Sequence, residues 1–285
     1  MTRRLSRRGT AALAVGAAAA AAWGWFEAGW IRLARLEIPL PGLPADLAGL
    51  RVVHLADLHL GVPSRGELAV ERAVAWAAER RPDLVLVSGD LLSLPRGERR
   101  LRALLSRLER CYAVLGNHDV DRTLDPFSRP SDLRDLSPAT LLFDDAQTVE
   151  LRGRRVQIAG VDPRSYTAGR ARPALLADRS ADLRILLCHF PEVIDELPAG
   201  AFHLVCAGNT HDGQICIPYP GGKLRLGQPR GRYTRGLYRR GSTVMHVSPG
   251  LGTTFVPFRF FARPEATELV LRPPEEDGGA ALQSG

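Results

Sequence analysis

Lysine is almost absent. Lys223 is the only one, so the formal net charge of +7 is carried by arginines spread along the whole chain. A nucleic-acid-binding module would gather that charge into a patch and interleave it with aromatic side chains for base stacking. No such run exists, so no nucleic-acid partner is expected; the arginine bias fits genomic base composition better than a binding patch. The four cysteines, Cys111, Cys188, Cys206 and Cys216, show no C-x-x-C spacing, which removes the zinc-ribbon and dithiol redox patterns. Cys111, Cys188 and Cys206 lie in apolar runs, where a thiol behaves as a small buried hydrophobe. In an exported chain one disulfide is allowed, with no pairing readable from the spacing. There is no internal repeat. A hydrophobic content of 45% over 285 residues provides for a sizeable core in one large domain or two small ones.

The chain opens on Arg3, Arg4, Arg7 and Arg8, followed by an uncharged stretch from Gly9 to Phe26. A positive segment ahead of an apolar one is the order of an export signal, and this length stands at the lower edge of a membrane span. Ser6-Arg7-Arg8-Gly9-Thr10 resembles a twin-arginine signal, and Ala20-Ala21-Ala22 offers a small-residue cleavage site. Residues 1–26 are therefore expected to be a signal peptide or membrane anchor. The alternative is a buried Ala-rich helix of the domain. Residues 27–47 read as a lead-in with a Pro-rich connector, 48–272 as the domain, and 273–285 as a disordered tail. The domain would then stand outside the cytoplasmic membrane, at its outer face or in the periplasm or cell envelope, with the membrane as a partner if the signal stays uncleaved.

Along the domain, Arg51–Ala56, Leu84–Ser88 and Cys111–Leu115 are short apolar runs of the buried-strand type. Glu67–Arg81 and Glu98–Arg110 between them carry apolar residues at helical spacing. This β-α-β-α-β order predicts a layered α/β domain with right-handed crossovers. A hairpin is expected around Arg152-Gly153-Arg154, with later strands at Leu183–Cys188, Phe202–Ala207, Gln214–Ile217, Thr243–Val247 and Thr267–Leu271. Pro218–Arg240, rich in Gly, Pro and Arg, reads as a long surface loop.

Five of the apolar strands end in metal-type or polar ligands: Asp57 and His59, Asp90, Asn117 and His118, His189, and Asn209 and His211. In open α/β sheets ligands bind beyond the carboxyl ends of the strands, so these ends should converge on one site. On an extended backbone Asp57 and His59, two apart, point to the same side. A mixed nitrogen and oxygen set suits Mn²⁺, Fe or Zn²⁺ better than Mg²⁺ or Ca²⁺. His54, His203 and His246 lie within strands and read as core histidines, while Asp119 either orients His118 or caps the turn.

Together these blocks resemble the calcineurin-like metallophosphoesterases. They run as D-x-H (Asp57-Leu58-His59), G-D (Gly89-Asp90), G-N-H-D (Gly116 to Asp119), a strand-end His189, and an altered G-H-T-H (Gly208-Asn209-Thr210-His211). Phe26 to Trp30, Gly250 to Thr254 and Arg259 to Glu265 look like the branch of exported or membrane-anchored bacterial phosphodiesterases. The resemblance implies a four-layer α-β-β-α sandwich of two mixed sheets. It further implies two divalent metal ions: Asp57, His59 and His211 on the first, Asp90 bridging, and Asn117 and His189 on the second. His118 would stand beside the phosphate, and the substrate would be a phosphate ester, a lipid-linked one among the candidates. A monomer is expected.

Three departures stand out. Asn209 replaces the first His of the last block, a ligand of the second metal, and Asp212 replaces a Gly just after it. Asp212 or a water either compensates, or the second metal is weakly held. Pro249 stands where the branch carries an Arg. The expectation is thus a metal-dependent phosphodiesterase or pyrophosphatase; the alternative is a catalytically impaired envelope protein that binds metal or phosphate.

Overall fold

The apolar runs become the centres of two sheets. In the computed structural model, which describes residues 7–120 and 122–274, the strands β2 (Arg51–Leu55), β3 (Leu84–Ser88) and β4 (Cys111–Val114) lie parallel. β14 (Glu265–Arg272) runs antiparallel to β2, and β1 (Arg32–Pro39) pairs parallel with β14 along the outer edge. β5 (Thr140–Leu141) closes the opposite edge. The second sheet has the order β12 (Gly236–Arg240), β13 (Thr243–Val247), β9 (Leu204–Ala207), β8 (Leu183–Leu187), β7 (Arg154–Gly160) and β6 (Asp145–Leu151). Both sheets are mixed, with parallel centres and antiparallel pairs at β14–β2, β12–β13 and β6–β7.

Buried side chains define the layers. Between the sheets, Val52, Leu84, Leu86 and Val114 meet Ile158, Ile185, Leu204 and Val244. The far face of the first sheet is covered by α2 (Gly66–Arg80) and α3 (Glu98–Leu105), whose Val70, Ala73, Val74, Leu101 and Leu104 pack on Val53, Leu55, Val85 and Val87. The far face of the second sheet is covered by short pieces: α4 (Pro163–Thr167) and 3₁₀ turns at Pro173–Leu176 and Pro191–Glu196. The expected α-β-β-α order is present, with its second helical layer reduced to pieces of one or two turns. A proline opens each of these turns, where its fixed φ suits the first residue and its missing N–H leaves no donor unpaired.

Two segments expected as connectors are strands. The lead-in contains β1, with Ala34 and Ile38 buried and Arg32 and Arg35 exposed. It is an edge strand, so it tolerates Pro39 and an exposed charged face that mask it in the sequence. The expected loop at 218–240 contains the end of β10 (Cys216–Tyr219), all of β11 (Gly222–Arg225) and β12. The hairpin β10–β11 turns at Pro220-Gly221, where Gly221 has φ 91°, and its exposed faces explain a loop-like composition.

α1 (Arg7–Ala28) carries through the boundary expected at residue 26. Its C-terminal end belongs to the body of the domain. Arg259 N donates to Gly24 O at 3.0 Å, and the buried Glu27 carboxylate accepts from Trp23 Nε1 at 3.0 Å and Ala262 N at 2.9 Å. Residues 13–22, by contrast, are exposed. Among the described residues, no helix is long and apolar enough to cross a membrane. The four cysteines are buried and free. Arg3, Arg4 and Ser6, and the tail from residue 275, lie outside the described residues.

Candidate metal centre

Every expected ligand sits just past a strand end, and five of them are left-handed rather than extended. Asp57, His59, Asp90, Asn209 and His211 have φ of 51°, 47°, 50°, 72° and 50°. The alternation argument for Asp57 and His59 therefore fails: the strand stops at Leu55, and both residues turn left-handed. Their amides are tied to the next strand end instead, Asp57 N to Gly89 O and His59 N to Asp90 O, each at 3.0 Å. Left-handed non-glycine residues cost about 1–3 kcal/mol each, and their clustering marks a site that the surrounding fold holds in place. Close packing adds a second constraint. A Cβ on Gly116 would fall 2.1 Å from Asp90 Oδ1, and one on Gly208 would fall 2.6 Å from Asp57 Oδ2. The glycines of these blocks are there to let two carboxylates approach.

Donor atoms converge in two adjoining groups. In the first, Asp57, His59, Asp90 and His211 place one ligand atom each within 4.8 Å of one another, all four residues buried. His59 Nε2 lies 3.0 Å from His211 Nε2 and 3.4 Å from Asp90 Oδ2. In the second, His189 Nε2 lies 3.4 Å from the same Asp90 Oδ2 and 3.0 Å from Asn117 Oδ1. Asp90 Oδ2 thus stands between the groups. Asp57 Oδ2 is buried with no hydrogen-bond partner among the described residues, which fits a carboxylate oxygen shaped for a cation. The residues present fit divalent metal.

Electrostatics agree with that use. Burial lowers His59 to about 3 and His211 well below its ordinary value, so both rings are neutral and offer lone pairs. Burial raises Asp57 to about 7. Burial opposes charge on His189 as well, but the Asp90 carboxylate beside it raises the ring to about 9. Burial works to raise Asp90, but His189 above all, and His118 after it, hold it below its ordinary value. Metal entering the site must displace the protons on Asp57 and His189, so its affinity should rise with pH. Calorimetric titration with Mn²⁺ is expected to show a gain of about tenfold or more per pH unit between about pH 6 and 7, with net proton release. An affinity independent of pH would contradict these assignments.

The ligand rings are fixed from behind. His59 Nδ1 bonds Ser93 Oγ at 2.9 Å, and His189 Nδ1 donates to Ser88 O at 2.8 Å. Arg259, fully buried, brings Nη2 to 3.1 Å from His211 Nδ1, while its donors reach the carbonyls of Pro249, Gly252 and Ala262. His118 has its own relay. Its Nδ1 lies 2.7 Å from Ser128 Oγ, which donates to Asp125 Oδ2 at 3.3 Å. A serine that donates to Asp125 accepts from His118, so the proton rests on Nδ1. His118 Nε2 is then the nitrogen facing the cleft, 3.9 Å from Asp90 Oδ2. Burial works to raise Asp125, but the amides of Phe255 and Phe127 hold it below the ordinary carboxylate value. Sequence reasoning missed Ser93, Arg259, Ser128 and Asp125. Only Arg259 had a signal, as part of the Arg259 to Glu265 block.

The remaining candidates sort plainly. Asp119 does not orient His118: it accepts from the amides of Leu91, Leu92 and Gly116 at 3.0, 2.8 and 2.8 Å. Asp212 does not compensate for Asn209. Its buried carboxylate is taken by Lys223 and by Arg225 at 2.9 Å, which fasten the β10–β11 hairpin. Asn209 lines the cleft and reaches the first group through its backbone, N to Asp57 Oδ1 at 2.9 Å. His54 and His246 form a buried inter-sheet pair at 2.7 Å, and His203 accepts from Arg184 N at 3.0 Å, so none of the three lines the cleft.

A two-sheet α/β sandwich with Asp, His and Asn gathered at its strand ends defines a metal-dependent phosphoric ester hydrolase. The profile of the calcineurin-like phosphoesterases matches residues 50–213, more than half the chain, and the chain belongs to that family. It is 29% identical over 243 residues to the metallophosphoesterase YkuE of Bacillus subtilis, covering 81% of this chain and 82% of that protein. It is 27% identical over 252 residues to the phosphodiesterase YaeI of Escherichia coli, covering 86% and 90%. A solved structure of a hypothetical protein from Thermus thermophilus is similar at 17% identity with a TM-score of 0.42, covering 70% of this chain and 76% of that one.

Proposed function

We propose that the protein hydrolyses phosphodiesters or pyrophosphates with two divalent cations, Mn²⁺, Fe or Zn²⁺, shared through Asp90. The observation that carries this reading is the position of Asp90 Oδ2, 3.4 Å from His59 Nε2 on one side and 3.4 Å from His189 Nε2 on the other. Asp57, His59, Asp90 and His211 would hold one cation; Asp90, Asn117 and His189 the other, with Asn209 a weak additional ligand at most. A bound cation pair supplies an activated water nucleophile and neutralises the phosphoryl oxygens during in-line displacement. The residues supply the rest. Asp125 and Ser128 hold His118 with Nε2 toward the cleft, where the ring in its imidazolium form, protonated on both nitrogens, would donate a proton to the leaving oxygen. Ser93, bonded to Nδ1, holds the His59 ring in the plane that ligation needs, and Arg259 packs behind His211.

The reading includes a location outside the cytoplasmic membrane, reached by twin-arginine export of the folded chain. It is supported by the exposed stretch of α1 behind its arginines and by a collar at its base. Trp23, Trp25, Phe26 and Trp30 are each exposed by 38–45%, with the Arg263 guanidinium 3.7 Å from the Trp30 ring centre. Tryptophan and arginine together suit a membrane–water interface. The test is turnover of bis-p-nitrophenyl phosphate by the purified protein with added Mn²⁺, alongside a count of bound metal. Turnover with two equivalents is expected. No turnover with one tightly held ion would instead favour a binding protein, the second reading that Asn209 motivates.

A further inference from the structure

We infer that an apolar pocket next to the metal centre binds an alkyl chain, so that the diester hydrolysed there carries a lipid-type alcohol as one of its esters. This rests on the hydrolase reading and adds a substrate class to it. The pocket has a volume of about 320 Å³ and is walled by Val62, Pro63, Leu94, Phe127, Phe255 and Val256. Thr254, Phe255 and Val256 also line the cleft of about 430 Å³ that opens on His118 and Asn209. Thr254 Oγ1 is 3.4 Å from His118 Nε2, so the pocket begins one side chain away from the reacting centre.

The wall between the two spaces has polar atoms, but they are spent on one another. Asp125 Oδ2 accepts from Thr254 Oγ1 at 2.9 Å and from Phe255 N at 3.0 Å, and Asp125 Oδ1 accepts from Phe127 N at 2.9 Å. Arg96, at the margin, donates from Nε to Gly61 O. A sugar or a nucleobase would lose its water on entering and find few partners in return, which is costly. A hydrocarbon loses nothing there. The rim repeats the message: Phe127 and Phe255 of the pocket are 60% and 48% exposed, and Leu124 of the adjoining cleft is 93% exposed. Large apolar side chains gathered at one opening mark a binding surface rather than scattered exposure.

The experiment is a series of p-nitrophenyl phosphodiesters whose second ester is methyl, butyl, octyl or dodecyl, assayed with Mn²⁺ below micelle formation, with thymidine 5′-p-nitrophenyl phosphate beside them. kcat/KM is expected to rise about two- to fourfold per added methylene until the pocket is filled, and then to level off. The dodecyl-to-methyl ratio should drop about tenfold in Phe127→Ser and in Val256→Ser, both at partly exposed positions where folding tolerates the change. A flat chain-length profile, a thymidine ester preferred over the dodecyl ester, or a ratio unchanged in both variants would overturn the inference while the hydrolase reading stands. If no ester is turned over, the hydrolase reading fails; calorimetry then decides the alkyl site, which requires dodecyl phosphate to bind more tightly than methyl phosphate.

Discussion

Asp90→Asn is expected to fold normally, to retain at most one equivalent of metal, and to lose about 10⁴-fold in kcat/KM toward bis-p-nitrophenyl phosphate. Asn keeps the volume of Asp and keeps an oxygen for the His118 amide, which Asp90 Oδ1 accepts at 2.9 Å. The turn that presents Asn117 and His118 is thereby preserved. What disappears is the charge that faces His59 and His189 together. A neutral amide cannot balance two dications in a buried site, where unpaired charge is costly. Elemental analysis of the dialysed variant, circular dichroism and steady-state kinetics read the three parts separately. Two retained metals with activity within tenfold of the parent would sink the bridging role.

Asn209→His is expected to work in the other direction. The second group has one imidazole, His189, where the first has His59 and His211. An added imidazole should tighten the more weakly held cation by about ten- to a hundredfold, and raise turnover at limiting Mn²⁺ in proportion. The backbone permits it: φ at 209 is 72°, in the left-handed region where Asn, Asp and His are the favoured residues after Gly. Space permits it too, because Asn209 borders the open cleft. If metal stoichiometry and turnover both stay unchanged, the amide was never what limits this site.

What the sequence could reveal follows from where each residue sits. β3 reads cleanly because a central parallel strand is apolar on both faces, and Leu84–Ser88 emerges with the bounds that its composition suggests. β1 does not, because an edge strand with exposed arginines and a terminal proline looks like a linker until β14 is placed beside it. The ligands are legible as polar residues at the ends of apolar runs, a pattern that survives even though Asp57 and His59 abandon the extended geometry used to justify it. The supports are not. Ser128 and Asp125 lie in an irregular loop with no periodicity, and nothing local says that a serine there will meet a histidine ten residues earlier. Asp212 misleads for a related reason. Its nearness in sequence to His211 suggested a ligand, but at φ 52° its carboxylate turns to Lys223 and Arg225.

The pairing of β1 with β14 also sets an order of events in time. Arg32 lies opposite Glu265, and Pro39 opposite Arg272, so the first strand of the domain gains its sheet neighbour when the last one arrives. β14 also lies between β1 and β2, and the loop just before it carries Arg259 to the back of His211. A ribosome emitting this chain from the N-terminus releases the ligand-bearing strands long before the segment that locks them. The metal centre is therefore completed only after the last strand of the domain has emerged, so the strand ends that carry its ligands wait on a segment about fifty residues or more downstream of His211.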